Sequence, residues 1–258
     1  GFRVAQAGKY ATADVGDVVR TIAVNGTMTA RWPKSKLVTN DKIAAGNVIV
    51  GFGSSGQASY ETEYNSGLGS NGLTSARHDV LSKYYAKKYP ETFEPALDKE
   101  VIYIGESKMG DEMTVDGKQI TIGKLLLSPT RTYAPLLKIL LDKYFEDING
   151  LIHCSGGGQT KCMKYLPRPL NIIKDNLFEV PPIFQLIQKN SGAEFGEMYQ
   201  VFNMGHRLEV FTNEKAAGKM IAAAKTFNIE AKIIGRAEAA LQSSLLLKGS
   251  FGELRYEY

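Results

Sequence analysis

Cysteine is scarce. Cys154 and Cys162 are the two in 258 residues, too few and too close together to staple a scaffold, and no Cys or His grouping near them has structural-zinc spacing. A disulfide framework is excluded, and a reducing compartment, the cytoplasm, is the expected setting. Long apolar runs are also lacking: Leu125 to Leu127 and Leu245 to Leu247 fall far short of the roughly 20 residues that cross a bilayer, so no membrane association is expected. Nor is there an excess of one charge. Lys and Arg number 31 against 27 Asp and Glu, interspersed, for a formal net charge of +4, which leaves no electrostatic footprint for nucleic acid. The sequence opens Gly1, Phe2, Arg3, without an initiating methionine or the pattern of a signal peptide, and is expected to be a fragment of a longer protein. What is present is globular: 43% hydrophobic and 22% charged residues exclude global disorder.

Residues 18–30, VVRTIAVNGTMTA, alternate Val18, Ile22, Val24 and Met28 with polar or β-branched neighbours and predict a half-buried strand. A connector follows, then NVIVGF at 47–52 predicts a short buried strand, with a domain boundary near Gly46 that divides 1–45 from 46–258. Glycines come next, GFGSSG at 51–56 and GLGSNG at 67–72, enclosing the insert QASYETEYNS. Leu73, Ala76, Val80 and Tyr84 then recur at helical spacing, with Ser70 or Asn71 as the expected cap. Residues 90–123 read as an excursion of short possible strands broken by Pro90, Pro95, Gly105, Gly110 and the turn signal Asp116-Gly117.

Ser128-Pro129 is expected to cap a helix whose stripe is Tyr133, Leu136, Leu137, Leu140, Leu141 and Tyr144. LIHC at 151–154 predicts a strand running into Ser155 and the glycines 156–158, repeating the order of strand, glycine loop and helix. Pro181 or Pro182 opens a helix carrying Ile183, Leu186 and Ile187, and Asn213 caps another with Ala217, Met220, Ile221, Ala224 and Phe227. Strands are expected around 207–211, 232–234 and 241–247. The class is α/β or α+β, with a mixed β-sheet covered by helices.

Glycine loops between strands and helices let backbone N–H groups approach an anion, because no side chain blocks the way and a helix start leaves donors unpaired. The candidates are 51–56, 67–72 and 155–158; a tight turn is the competing reading of each alone. Neither a dinucleotide fingerprint nor a GxxxxGK[ST] loop is present, and GSSG is not the GxSxG elbow of acyl-transfer enzymes. Asn71, Arg77, His78 and Lys161 flank the loops, each with a cap or solvated cation as its plainer role. His153 ends a strand beside three glycines, where it is a proton-exchange candidate against satisfied packing. Thr130 and Arg131 of SPTR offer a hydroxyl and a fork for phosphate or carboxylate, against a cap and surface ion pair. Asn203 in FNMGHR recognises an amide or braces a turn, Asp14 and Asp17 are weak Mg²⁺ candidates, and a buried structural thiol is the preferred reading of Cys154 and Cys162.

Taken in order, DKIAAGNVIVGFGSSG, GSNGLTSAR, LLSPTRTY, IHCSGGG and FGEMYQVFNMGHRLEVF resemble the aminoimidazole ribonucleotide synthetase family, from about Thr12 to Tyr258. The resemblance implies the fold of that family's carboxy-terminal domain, with 1–45 as the end of an amino-terminal ATP-binding and dimerisation domain. It implies an ATP- and Mg²⁺-dependent ring closure of a phosphorylated ribonucleotide by a homodimer. It also implies ligand-site roles for Ser70, Asn71, Gly72, Thr130, Gly156, Gly157, Gly158 and Asn203, catalytic roles for Arg131 and His153, and Asp14 as metal candidate. The sequence departs from the family pattern in three places. Most of the amino-terminal region is absent, Lys9, Tyr10, Ala11 and Thr12 stand where the family has GGET, and Gln57 to Ser66 separate two nearly continuous glycine loops. The alternative is a noncatalytic phosphometabolite-binding or assembly paralogue, or an inactive fragment of the enzyme.

Overall fold

The computed structural model describes residues 27–257. Asp14, Asp17, residues 9–12 and most of the strand expected at 18–30 lie outside the described residues; 27–30 are in no strand. Chain order is β1 (Val48–Gly53), α1 (Leu73–Val80), α2 (Lys83–Lys88), β2 (Glu112–Val115), β3 (Lys118–Thr121), α3 (Ile122–Leu126), α4 (Ala134–Tyr144), β4 (Gly150–His153), a 3₁₀ helix over Gly158–Tyr165, β5 (Leu170–Lys174), α5 (Pro182–Ser191), α6 (Phe195–Val201), β6 (His206–Thr212), α7 (Glu214–Lys225), β7 (Ala231–Ala239), β8 (Ser244–Gly249) and β9 (Gly252–Glu257).

Seven strands form one sheet in the order β4-β6-β1-β7-β5-β8-β9. β5 and β8 are parallel and the other neighbours antiparallel, so the sheet is mixed, as the sequence implied. Period-two alternation sends side chains to two cores. Val50, Phe52, Leu208 and Val210 pack under α4 and α7, against Leu136, Leu140, Ala217 and Met220. Ile49, Ile152, Ile172 and Phe211 pack on the other face, against Ala76 and Val80 of α1, Ile183 and Ile187 of α5, and Met198 of α6. Helices on both faces bury the sheet, and each fully enclosed Leu or Met contributes on the order of 2 kcal/mol. Among the described residues no helix is long and apolar enough to cross a membrane.

Several elements differ from expectation. α1 stops at Val80, so Tyr84 belongs to α2, and its cap is Gly72 with no side-chain hydrogen bond, neither Ser70 nor Asn71. α4 begins at Ala134, five residues beyond Pro129; Ser128 Oγ instead accepts from Ser66 N at 3.0 Å. The 90–123 excursion contains a hairpin, with Val115 paired to Lys118 across Asp116 and Gly117 at φ 51° and 75°. Consecutive positive φ values are the two-residue turn that matches strand twist, which is why glycine stands there. Asn213 caps α7 as expected, its Oδ1 accepting from Ala216 N at 2.9 Å. The register pairs Gly53 with His206 and His153 with Leu208, gathering the end of β1, the end of β4 and the start of β6 at one end of the sheet.

Candidate functional site

The 67–72 loop is held from below by two buried side chains. Asn203 Nδ2 donates to Gly67 O at 2.8 Å, while its Oδ1 accepts from Ser54 Oγ at 2.6 Å and Gly205 N at 3.1 Å. Arg207 Nη2 donates to the carbonyls of Gly67 and Leu68 at 2.8 and 2.6 Å. From the side, Thr130 Oγ1 accepts from Ser70 N at 3.1 Å and lies 3.3 Å from Ser70 Oγ. Asn71 Nδ2 reaches Val201 O at 3.4 Å. The 155–158 turn lies alongside: a Cβ on Gly156 would stand 3.3 Å from Asn71 Oδ1. Gly158, at φ 48°, sits so close to the end of α6 that a Cβ would meet the carbonyls of Tyr199 and Phe202 at 2.4 and 2.5 Å. Ser70, Asn71, Gly72, Thr130 and the glycines 156–158 are therefore brought together, with Asn203 as the brace beneath.

In these two loops the N–H groups of Gly67, Leu68, Ser70, Ser155 and Gly158, and that of Cys154 just before, have protein acceptors. Those of Gly69, Asn71, Gly72, Gly156 and Gly157 have none among the described residues; Asn71 and Gly72 lead into α1, where helix geometry leaves donors unpaired, and Gly156 lies beside Asn71. Lys161 adds an ammonium, its Nζ donating to Gly156 O at 2.9 Å. Arg207 adds charge from below. It is 2% exposed, and among the described residues its Nε has no partner and its hydrogen bonds go to carbonyls with no carboxylate opposite. The pattern of free donors over an unneutralised guanidinium suits an anion. Arg207 was invisible as a site residue in the sequence, where it reads as the first residue of a buried strand.

The 51–56 loop behaves differently. The N–H groups of Gly53, Ser54 and Gly56 are taken by Glu230 O, Gly205 O and Asn65 O. Its carbonyls point at Arg131, whose Nη1 donates to Gly53 O and Ser55 O at 2.9 Å each and whose Nη2 donates to Gly56 O at 3.1 Å. Nε and Nη2 complete a fork on Glu61 at 3.0 and 2.7 Å. Every guanidinium N–H is thus occupied by protein, and Arg131 is buried behind the cradle; in this arrangement it positions loops and presents no free fork to a ligand. A cavity of 830 Å³ opens behind the same loop, lined by Gln57, Tyr64, Phe178, Glu179 and Glu230, and none of the residues with free amides in the other two loops lines it.

His153 is exposed at the rim of an open 400 Å³ groove with Tyr133, Leu137, Leu151 and Leu208. Protein packed about the ring, then the Arg207 and Lys161 charges, push its pKa down to about 4, so it is neutral at pH 7.

A second charged group lies inside the sheet under the 3₁₀ helix. Lys174 Nζ donates to Glu209 Oε1 at 2.5 Å, Gln159 O at 2.9 Å and Gln159 Oε1 at 3.1 Å, and His206 Nε2 lies 2.9 Å from Glu209 Oε1. Burial opposes charge on Glu209, and the Lys174 and His206 contacts overcome it, holding its pKa down at about 2. Burial pushes the Cys154 and Cys162 thiols up, Cys162 to about 11, so both stay protonated structural thiols. Cys154, His206 and Glu209 place ligand atoms within 4.8 Å of one another, but the Lys174 ammonium already supplies the cation there. A hard, oxygen-seeking Mg²⁺ does not fit that set. It is the one grouping of three or more metal-type side chains among the described residues.

Residues 44–248 match the family described as AIR synthase related protein, C-terminal domain. Among curated proteins, the chain is 33% identical over 232 residues to the phosphoribosylformylglycinamidine cyclo-ligase of Methanocaldococcus jannaschii, covering 90% of this chain and 56% of that protein. It is 31% identical over 227 residues to the Methanococcus vannielii protein of the same name, covering 88% and 54%. The chain thus spans about half the length of the curated relatives it matches. Among solved structures, Thermotoga maritima PurL complexed with FGAR aligns at a TM-score of 0.44 and 15% identity, over 87% of this chain and 29% of that one. Escherichia coli HypE, a hydrogenase maturation protein, aligns at 0.44 and 14%, over 85% and 51%. These two likenesses are too weak to carry any conclusion about the site. The family match covers most of the chain, and the protein belongs to the AIR synthase related family through its C-terminal domain.

Proposed function

We propose that this chain is the phosphate-holding part of an ATP-dependent cyclo-ligase that closes formylglycinamidine ribonucleotide to aminoimidazole ribonucleotide, acting as a cytoplasmic homodimer. The observation that carries the reading is the adjacency of two glycine loops, Gly156 beside Asn71, whose N–H groups at Gly69, Asn71, Gly72, Gly156 and Gly157 are free among the described residues, with Arg207 bound to the carbonyls of Gly67 and Leu68. In the reaction, a phosphoryl group passes from ATP to the substrate's amide oxygen. The amidine nitrogen then bonds to that carbon, and the carbon–oxygen bond breaks to release phosphate. Such chemistry depends on positioning and on neutralising charge.

The residues of this chain hold a phosphate on backbone donors, with Lys161 and Arg207 offsetting its charge and Asn203 and Thr130 fixing the loop that presents those donors. His153, neutral at pH 7, offers an acceptor nitrogen at the rim. ATP is a co-substrate in this reading, and its phosphates suit the same donor set. No step is assigned to Mg²⁺, which the Cys154, His206 and Glu209 grouping does not suit.

The test on this chain is a ¹⁵N NMR titration with inorganic phosphate. Shifts concentrated at Asn71, Gly72, Gly156 and Gly157 support the cradle, and their absence at millimolar phosphate rejects it. The intact protein, expressed from its full coding sequence, should form ADP and the cyclised ribonucleotide. Phosphate binding without turnover in that intact protein would favour a noncatalytic phosphometabolite-binding relative.

A further inference from the structure

The insert between the two glycine loops is built as part of the site. Glu61, in its middle, makes the two-pronged contact with Arg131 at 3.0 and 2.7 Å, the side chains being 14% and 1% exposed. Glu61 also accepts from Ala58 N at 2.7 Å and from Asn65 Nδ2 at 3.1 Å, while the Tyr60 hydroxyl donates to Thr132 O. Two routes run from this carboxylate to the cradle. Through Arg131 it fixes the chain that carries Thr130, whose hydroxyl holds Ser70 N. Through Asn65 it fixes Gly67, since Asn65 Oδ1 accepts from Gly67 N at 2.9 Å and Asn65 Nδ2 also ties down Pro129 O at 3.0 Å.

We propose that the 57–66 insert is a latch, in which Glu61 is a positioning residue that sets the 67–72 loop for anion binding through Arg131 and Asn65. The inference rests on the phosphate reading of the cradle. Glu61 also neutralises Arg131, which leaves Arg207 as the buried arginine whose charge faces the anion. The latch explains why an arginine beside the Thr130 hydroxyl points away from the ligand: its fork belongs to the insert.

The experiment compares the wild-type chain with Glu61→Ala, Glu61→Gln and the control Glu63→Gln, whose residue makes an exposed pair with Lys124 at 3.1 Å. Each is followed by phosphate titration and by amide hydrogen exchange at Gly67 and Ser70, at a temperature where all are folded. Misplaced donors cost on the order of tenfold in phosphate affinity for Glu61→Ala, with Glu61→Gln between it and wild type and Glu63→Gln unchanged. Exchange at Gly67 and Ser70 should quicken about tenfold in Glu61→Ala, as local opening becomes easier. A purely structural role would lower the melting temperature and leave the phosphate-induced shifts of the folded protein as they were, and that result overturns the proposal. If wild type itself shows no phosphate shifts, the phosphate reading fails and exchange alone decides the latch: unchanged protection at Gly67 and Ser70 in Glu61→Ala refutes it.

Discussion

Lys174→Met tests how the interior tolerates charge. The substitution keeps an unbranched stem and removes the ammonium, together with its contacts to Glu209 Oε1 at 2.5 Å and to Gln159 at 2.9 and 3.1 Å. Glu209 is left fully buried with His206 as its remaining partner, and its Oε2 already lacks one. Breaking a buried pair in this way costs about 3–5 kcal/mol, a large share of the roughly 5–15 kcal/mol that holds a domain together. At this chain length that is a fall in melting temperature of roughly 10 °C. Urea unfolding at pH 7 should show a lower midpoint with an unchanged slope, since the surface exposed on unfolding is the same.

The pH dependence gives the sharper reading. In the wild type, Glu209 has a folded pKa of about 2, below its ordinary value of 4.5, so its contribution is complete above 4.5 and is lost as pH falls toward 2. In Lys174→Met, burial dominates and the folded pKa lies above the unfolded one. The variant then gains relative to wild type as pH falls from 7 toward 4, and the gap narrows. Lys174→Met/Glu209→Leu, with both charges gone, should recover most of the loss. A cost below about 1 kcal/mol, the size of an exposed pair, or a gap that stays constant from pH 7 to 4, refutes the reasoning.

Other substitutions address the cradle. Arg207→Met should lower phosphate affinity by about tenfold or more, through the lost charge and the freed carbonyls of Gly67 and Leu68, whereas Arg207→Lys keeps the charge and part of the affinity; equal affinities in calorimetry for all three proteins would remove Arg207 from the site. Gly156→Ala adds a methyl 3.3 Å from Asn71 Oδ1 on an exposed turn, so it should leave the melting temperature nearly unchanged while weakening phosphate binding severalfold, and a loss of stability with binding intact would contradict the placement. The C2 proton of His153 should titrate near pH 4 by NMR; because its folded pKa lies below the ordinary 6.5, its linkage disfavours the fold as pH drops from 6.5 toward 4, and a midpoint near 6.5 would show that neither burial nor the Arg207 and Lys161 charges act on the ring.

The sequence revealed those elements whose period, cap and burial agree. NVIVGF became β1, the Pro182 start became α5 and Asn213 capped α7, because each joins a local signal to an apolar stripe. β5 went unread because Lys174 ends LNIIK: a charge there looks like a surface position, and only Glu209, on β6 far along the chain, makes it an interior one. β9 is an edge strand with exposed alternate residues, and α6 is seven residues long with no side-chain cap, so neither has a strong local period. The glycine loops were legible as loops. Which of their amides remain free was not, since that depends on acceptors far along the chain, such as Gly205 and Glu230. Arg131 misled for a geometric reason. Adjacent residues point in different directions, so Thr130 faces the cradle while Arg131 turns behind it.

Placing two guanidiniums near one glycine-lined end of a sheet raises the question of why they do not repel the structure apart. The hydrogen bonds answer it. Arg131 is cancelled by Glu61 and wrapped by carbonyls of the 51–56 loop, so that loop serves as an acceptor shell with its N–H groups turned to other partners. Arg207 has carbonyls alone, with burial pushing its pKa down from the ordinary value. A buried cation without a counter-ion is costly unless a charge arrives to balance it. The loop whose Gly67 and Leu68 carbonyls Arg207 holds also carries free N–H groups at Gly69, Asn71 and Gly72. On the proposed reading, the unpaired arginine and the unpaired amides are two halves of one requirement that an anion would satisfy. On the proposed reading, this separates the second glycine loop and the 155–158 turn from the first loop, which is equally glycine-rich but whose Gly53, Ser54 and Gly56 amides are already occupied.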